Sequence, residues 1–172
     1  LRMQGHGTVP GGLFHTTWED WSAAVQMGAR HVRQRIGPAA PLVMAGYSNG
    51  GALVTKYAVD ALDDAALPLP ATLLLLSPMI GVSPAAGLAG AISLLGPVVE
   101  KARWIDVVPE YNPFKYNSFP ANAGAQTSRL TRALDQQLTA AARAGRLERM
   151  PAVLAFQSVV DNHGASDWAA WA

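Results

Sequence analysis

The chain has 172 residues, half of them hydrophobic and 15% charged, which suits a single domain with a buried core. Its 13 basic and 12 acidic residues nearly cancel, to a net +1, and no Lys/Arg run stands out, so nothing in the charge marks a nucleic-acid partner. The absence of cysteine excludes disulfides, thiolate metal sites and a cysteine nucleophile, and no apolar stretch reaches the roughly 18 residues that a membrane-spanning helix needs.

In chain order, Leu1–Met3 reads as the end of a strand running into a glycine-bearing loop, Gln4–Gly12. These residues carry no signal-peptide pattern; that assigns no compartment, and the cytoplasm is only the default expectation. Thr17 is placed to cap a helix whose apolar face is Trp18, Trp21, Val25, Gly28, Val32 and Ile36, at spacings of three and four, with Gly37-Pro38 as its stop. A short apolar strand follows over Pro41–Ala45, then the turn GYSNGG (46–51), then a helix from Ala52 to about Ala61. Ala71–Ser77 is a second apolar strand, punctuated by Ser77-Pro78, and Ala152–Val160 is a third. Uniformly apolar strands separated by helices predict an α/β fold with a mostly parallel sheet flanked by helices.

Met79 to Pro151 is too long for an ordinary crossover between parallel strands. Its first part, Val82–Val99, reads as a loose apolar helix. Trp104–Pro120 is rich in aromatics and proline. Leu130, Leu134 and Leu138 then define a helix closed by Gly145. The block 79–151 is expected to be a cap over the strand ends; an enlarged crossover with no part in binding is the alternative.

GYSNGG carries the chemistry. A neutral serine is a poor nucleophile unless it is exposed, held still and given a base. A sharp strand–turn–helix meets the first two needs, and Gly46 and Gly50 on either side of Ser48 are expected where side chains would collide. Asn49, at the start of the helix, would offer its backbone N–H to an oxyanion, and Gly51 would let the helix pack closely on the sheet. The alternative is an ordinary turn serine.

Gly5-His6-Gly7, GYSNGG and Phe156–Asp161 together resemble the α/β-hydrolases, in the branch of monoacylglycerol lipases, lysophospholipases and carboxylesterases. The resemblance implies a Ser–Asp–His triad in that chain order. Asp161, ending the apolar run from Ala152, matches the position of the acid, with Asp167 as the other candidate and a turn aspartate as the alternative role. His6 does not correspond to the base, His15 and His31 read as structural or solvated, and His163 stands only two residues from Asp161. The base is therefore expected beyond Ala172, and the second oxyanion loop before Leu1. The expectation is a partial α/β-hydrolase domain over 1–172, incomplete at both termini and inactive by itself.

The function implied is hydrolysis of carboxylic esters, with acyl or glyceride substrates. Leu88, Ile92, Leu94, Leu95 and Val98 could line an acyl site or simply fill core. Thioester or amide hydrolysis, acyl transfer, and a non-catalytic hydrolase-fold binding protein remain as alternatives. The partner expected is a small-molecule ester, possibly a lipid. No metal motif is present and no cofactor is expected; the oligomeric state is not assigned.

Overall fold

The computed structural model describes residues 1–81, 103–111 and 116–157. In chain order the elements are α1 (Trp18–Ile36), β1 (Val43–Tyr47), α2 (Asn49–Asp60), β2 (Thr72–Leu76), β3 (Trp104–Asp106), β4 (Phe119–Pro120), α3 (Ala121–Arg143) and β5 (Ala152–Phe156), with 3-10 turns at Pro10–Phe14 and Leu147–Arg149. Leu1–Met3 does not form the expected strand: no described strand lies alongside it, and Leu1 instead rests on α1 over Gly28. The apolar helix expected over Val82–Val99 lies outside the described residues; the third expected strand, Ala152–Val160, is a strand over Ala152–Phe156, Gln157 is not part of it, and 158–160 lie outside the described residues.

α1 begins as its sequence demands. Thr17 Oγ1 accepts from the Asp20 amide at 3.2 Å, and the Asp20 carboxylate accepts from the Thr17 amide at 2.8 Å, a reciprocal capping box. Its end is fixed by Gly37 at φ 78° and by Arg33, whose guanidinium donates to the carbonyls of Gly37, Pro38 and Ala40.

β1, β2 and β5 form a parallel sheet in the order β1-β2-β5. The register aligns Val43 with Thr72 and Thr72 with Ala152 at one end, and Tyr47 with Leu76 and Leu76 with Phe156 at the other. Alternation sends Leu73 and Leu75 toward α2, where they are buried with Val54 and Ala58. On the opposite face Val43, Tyr47, Leu154 and Phe156 are 53 to 71% exposed. A parallel sheet ordinarily buries both faces; among the described residues one face is covered, and only over β1 and β2, since every residue of β5 is exposed.

α2 lies between the sheet and a second layer made by α1 and α3, so residues 51 to 59 are all buried. Leu130 and Leu134 of α3 are fully buried in one core with Trp21, Leu53 and Tyr57, and Leu138 packs at its margin. The later part of the 79–151 block is thus a helical layer leading into β5. Before it, the antiparallel pair β3–β4 docks through Trp104, whose ring meets that of Phe14 at a steep angle with centroids 4.9 Å apart. Among the described residues, no helix is long and apolar enough to cross a membrane.

Within this core the Tyr57 hydroxyl donates to the Pro68 carbonyl at 2.9 Å. Burial raises its pKa above the ordinary 10.0, against the opposing pull of Arg30 and Arg33. A raised phenol pKa means that the fold prefers the neutral form. This contribution is complete below the unfolded value and is lost as pH rises through the higher folded value. Tyr57→Phe should cost about 1 kcal/mol at neutral pH from the lost hydrogen bond. It should also flatten the fall in stability above about pH 10; urea titrations across that range, compared with the parent protein, check both.

Candidate active site

The junction of β1 and α2 is a single residue, Ser48. Its backbone has φ 51° and ψ −121°, a conformation that costs a residue with a side chain on the order of 1–3 kcal/mol unless its surroundings impose it. The surroundings do so at both ends of the residue. The Ser48 amide donates to the Leu76 carbonyl at 3.0 Å. The Ser48 carbonyl accepts from the Gly51 amide at 2.9 Å and the Met79 amide at 3.0 Å. Ser48 is partly exposed, and its side chain makes no capping bond to α2, so its hydroxyl is not spent on holding the helix.

The glycines divide differently from expectation. A Cβ on Gly46 would lie 2.3 Å from the Gly50 carbonyl oxygen and 2.7 Å from Gly51 Cα, so the strand and the helix cross too closely for a side chain there. A Cβ on Gly51 would lie 2.4 Å from Pro78 Cβ, so this residue is fitted to the turn after β2. A Cβ on Gly50 would meet nothing within 4 Å. The second steric requirement therefore belongs to Gly51, because it is the Gly50 carbonyl, not its Cα, that faces Gly46.

Asn49 opens α2, a 12-residue helix with no acidic residue in its first turn to offset the positive end of its dipole. Its side-chain Oδ1 is buried and accepts no hydrogen bond from any described residue. Asp161, Asp167 and His163 lie outside the described residues. Phe156, five positions before Asp161, stands level with Leu76, which in turn stands level with Tyr47, the residue before Ser48.

His6 is exposed; its ring stacks on Tyr116 with centroids 6.0 Å apart and meets Trp21 in a T-shaped arrangement at 6.2 Å. Tyr116 fixes the loop beneath it: its hydroxyl donates to the Gly5 carbonyl at 3.0 Å and accepts from the Thr8 amide at 2.8 Å. His15 and His31 are exposed. None of these three histidines is hydrogen-bonded to Ser48. Among the described residues, no three His, Asp or Glu side chains gather as a metal would require. Sequence reasoning missed the contributions of Leu76, Pro78, Met79 and Tyr116. The only signals were a Ser-Pro pair after an apolar strand and an aromatic-rich stretch, and neither names its distant partner.

No family model and no curated protein matches the chain. Among solved structures it is similar to a monoacylglycerol lipase from Paleococcus ferrophilus, at 15% identity and a TM-score of 0.49. That match covers 84% of this chain and 66% of the lipase chain.

The steric division of the glycines is directly measurable. Gly50→Ala should be neutral or stabilising by up to about 1 kcal/mol, since alanine is the better helix former. Gly46→Ala and Gly51→Ala should each destabilise by several times that amount, because backbone or buried Pro78 must move. Denaturant titrations of the three single variants check the order.

Proposed function

We propose that this protein hydrolyses carboxylic esters, with Ser48 as the nucleophile. The observation that carries the reading is the backbone of Ser48, strained and held at both ends where a parallel strand turns into a buried helix. Such a conformation is uncommon at a residue with a side chain, and a nucleophile gains from it a fixed, accessible hydroxyl.

In this reading Ser48 Oγ attacks the ester carbonyl carbon while its proton passes to an imidazole. The oxyanion forms against the Asn49 amide at the positive end of α2, and a second donor completes its site. Collapse breaks the carbon–oxygen bond, and the imidazolium returns the proton to the leaving alcohol. Water, deprotonated by the same imidazole, then releases the carboxylic acid and restores Ser48. The base is taken from outside the described residues. Asp161 is assigned as the carboxylate that orients it; the support is that β1, β2 and β5 end level, so the chain beyond Phe156 leaves the sheet at the same end as Ser48.

The substrate class is an acyl or glyceride ester, with thioester hydrolysis and acyl transfer open to the same chemistry. Since α3 belongs to the core layer on α2, the covering role proposed for the 79–151 block falls to the residues before Ala121. A hydrolase-fold protein that only binds would keep the turn and lack the reactivity.

Two substitutions test the assignment in the full-length protein. Ser48→Ala should abolish covalent labelling by a fluorophosphonate probe and lower ester turnover by several orders of magnitude. Undiminished labelling would exclude Ser48, and a wild-type protein that neither labels nor turns over esters would favour the binding reading. Asp161→Asn should leave the melting temperature near the parent value while lowering turnover by on the order of 10⁴. If Asp167→Asn has that effect instead, the acid is Asp167.

A further inference from the structure

Ser48 is not the only residue with a side chain at positive φ. Ser77, the residue after β2, has φ 39°. It stands directly beside the first: Leu76, before it, accepts from the Ser48 amide, and Met79, two residues on, donates to the Ser48 carbonyl. The Ser77 amide itself donates to the Phe156 carbonyl at 2.7 Å, tying the same turn to the end of β5. Buried Pro78 completes it, seated on Gly51 at the start of α2.

We infer that the Leu76–Met79 turn is the positioning device for the serine, with Ser77 as the residue that sets it. The catalytic meaning of this inference rests on the function proposed above; the backbone clamp does not. A strained residue persists only where its neighbours over-determine it. Both backbone polar groups of Ser48 are bonded to residues only three positions apart, 76 and 79. For a carbonyl and an amide that close in the chain to face the same residue, the chain must reverse between them. The positive φ of Ser77 and the fixed φ of Pro78 provide that reversal. If Ser77 relaxes to an ordinary β conformation, Met79 turns away, the Ser48 carbonyl loses a donor, and the hydroxyl is no longer held in its attacking position. Ser77 is thus a positioning residue that acts through the backbone of Ser48 without touching substrate.

The test contrasts three variants at the one position. Glycine adopts positive φ freely, alanine does so at moderate cost, and β-branched valine strongly resists it. Two readouts are taken on the full-length protein: hydrogen exchange of the Met79 amide, and the kinetics of labelling by a fluorophosphonate probe. Ser77→Gly should retain both protection and labelling rate. Ser77→Val should expose the Met79 amide and slow the maximal labelling rate by about 10- to 100-fold, with the half-saturating probe concentration unchanged. Ser77→Ala should fall between and serves where the valine variant does not fold. A purely structural role would lower the melting temperature while leaving the maximal labelling rate of the folded protein at the parent value, and that result would overturn the inference. So would an unprotected Met79 amide in the wild type. If the wild type shows the exchange pattern but never labels, the clamp stands and it is the ester-hydrolase reading that fails.

Discussion

Two backbones cross at the end of β1 with no room for a side chain between them, and the architecture follows from that contact. Because Gly46 lies against the Gly50 carbonyl, α2 can begin one residue after the strand ends, with Ser48 alone making the turn. The tightness of the turn forces Ser48 into its unusual backbone conformation. It also presses α2 onto the sheet along its length, so that α1 and α3 close over its far side. A helix enclosed on every side must be apolar on every side, and α2 nearly is.

Its exception shows how the constraint is met. Lys56 is buried, yet its ammonium donates to both oxygens of Asp60 at 2.9 Å, one turn further along, and sits 5.4 Å from the centre of the Trp18 ring. Gln137 of α3 donates to Asp60 at 2.8 Å. The three helices therefore meet through a charge that is paired, bonded and covered by an aromatic face. Removing any one partner would leave a buried charge short of its compensation, which is costlier than never having buried it.

Much of this was legible in the sequence, and the gaps have physical causes. α1 was readable from Thr17 onward because its cap and its periodicity are local. Leu130, Leu134 and Leu138 announced α3 for the same reason. The apolar run 41–45 starts two residues before β1, which spans 43–47, because apolarity begins before pairing does and Gly46 and Tyr47 still pair with Leu75 and Leu76. α2 starts at Asn49, three residues before the expected Ala52, since Asn-Gly-Gly reads as a turn until the strand beside it is known. β3 and β4 left no signal, being two or three residues long and held in part by Glu110 accepting the amides of Asn117 and Ser118. At the site, spacing singled out Ser48 and Gly46. It could not tell Gly50 from Gly51, because what distinguishes them is Pro78, which is remote in the chain and close only once β1 and β2 have paired.

The strand order has a kinetic side. Thr72 pairs with Val43 about 30 positions earlier and with Ala152 about 80 positions later, so joining β5 to β2 closes the longer loop at an extra entropic cost of about 1 kcal/mol. The β1–α2–β2 unit can form as soon as its own residues are available, whereas β5 must wait for the whole intervening segment. Until it arrives, the apolar run Leu73–Leu76 presents an unpaired strand edge to solvent. A nascent chain is then most vulnerable to pairing with another copy of itself in the interval between completing β2 and completing β5.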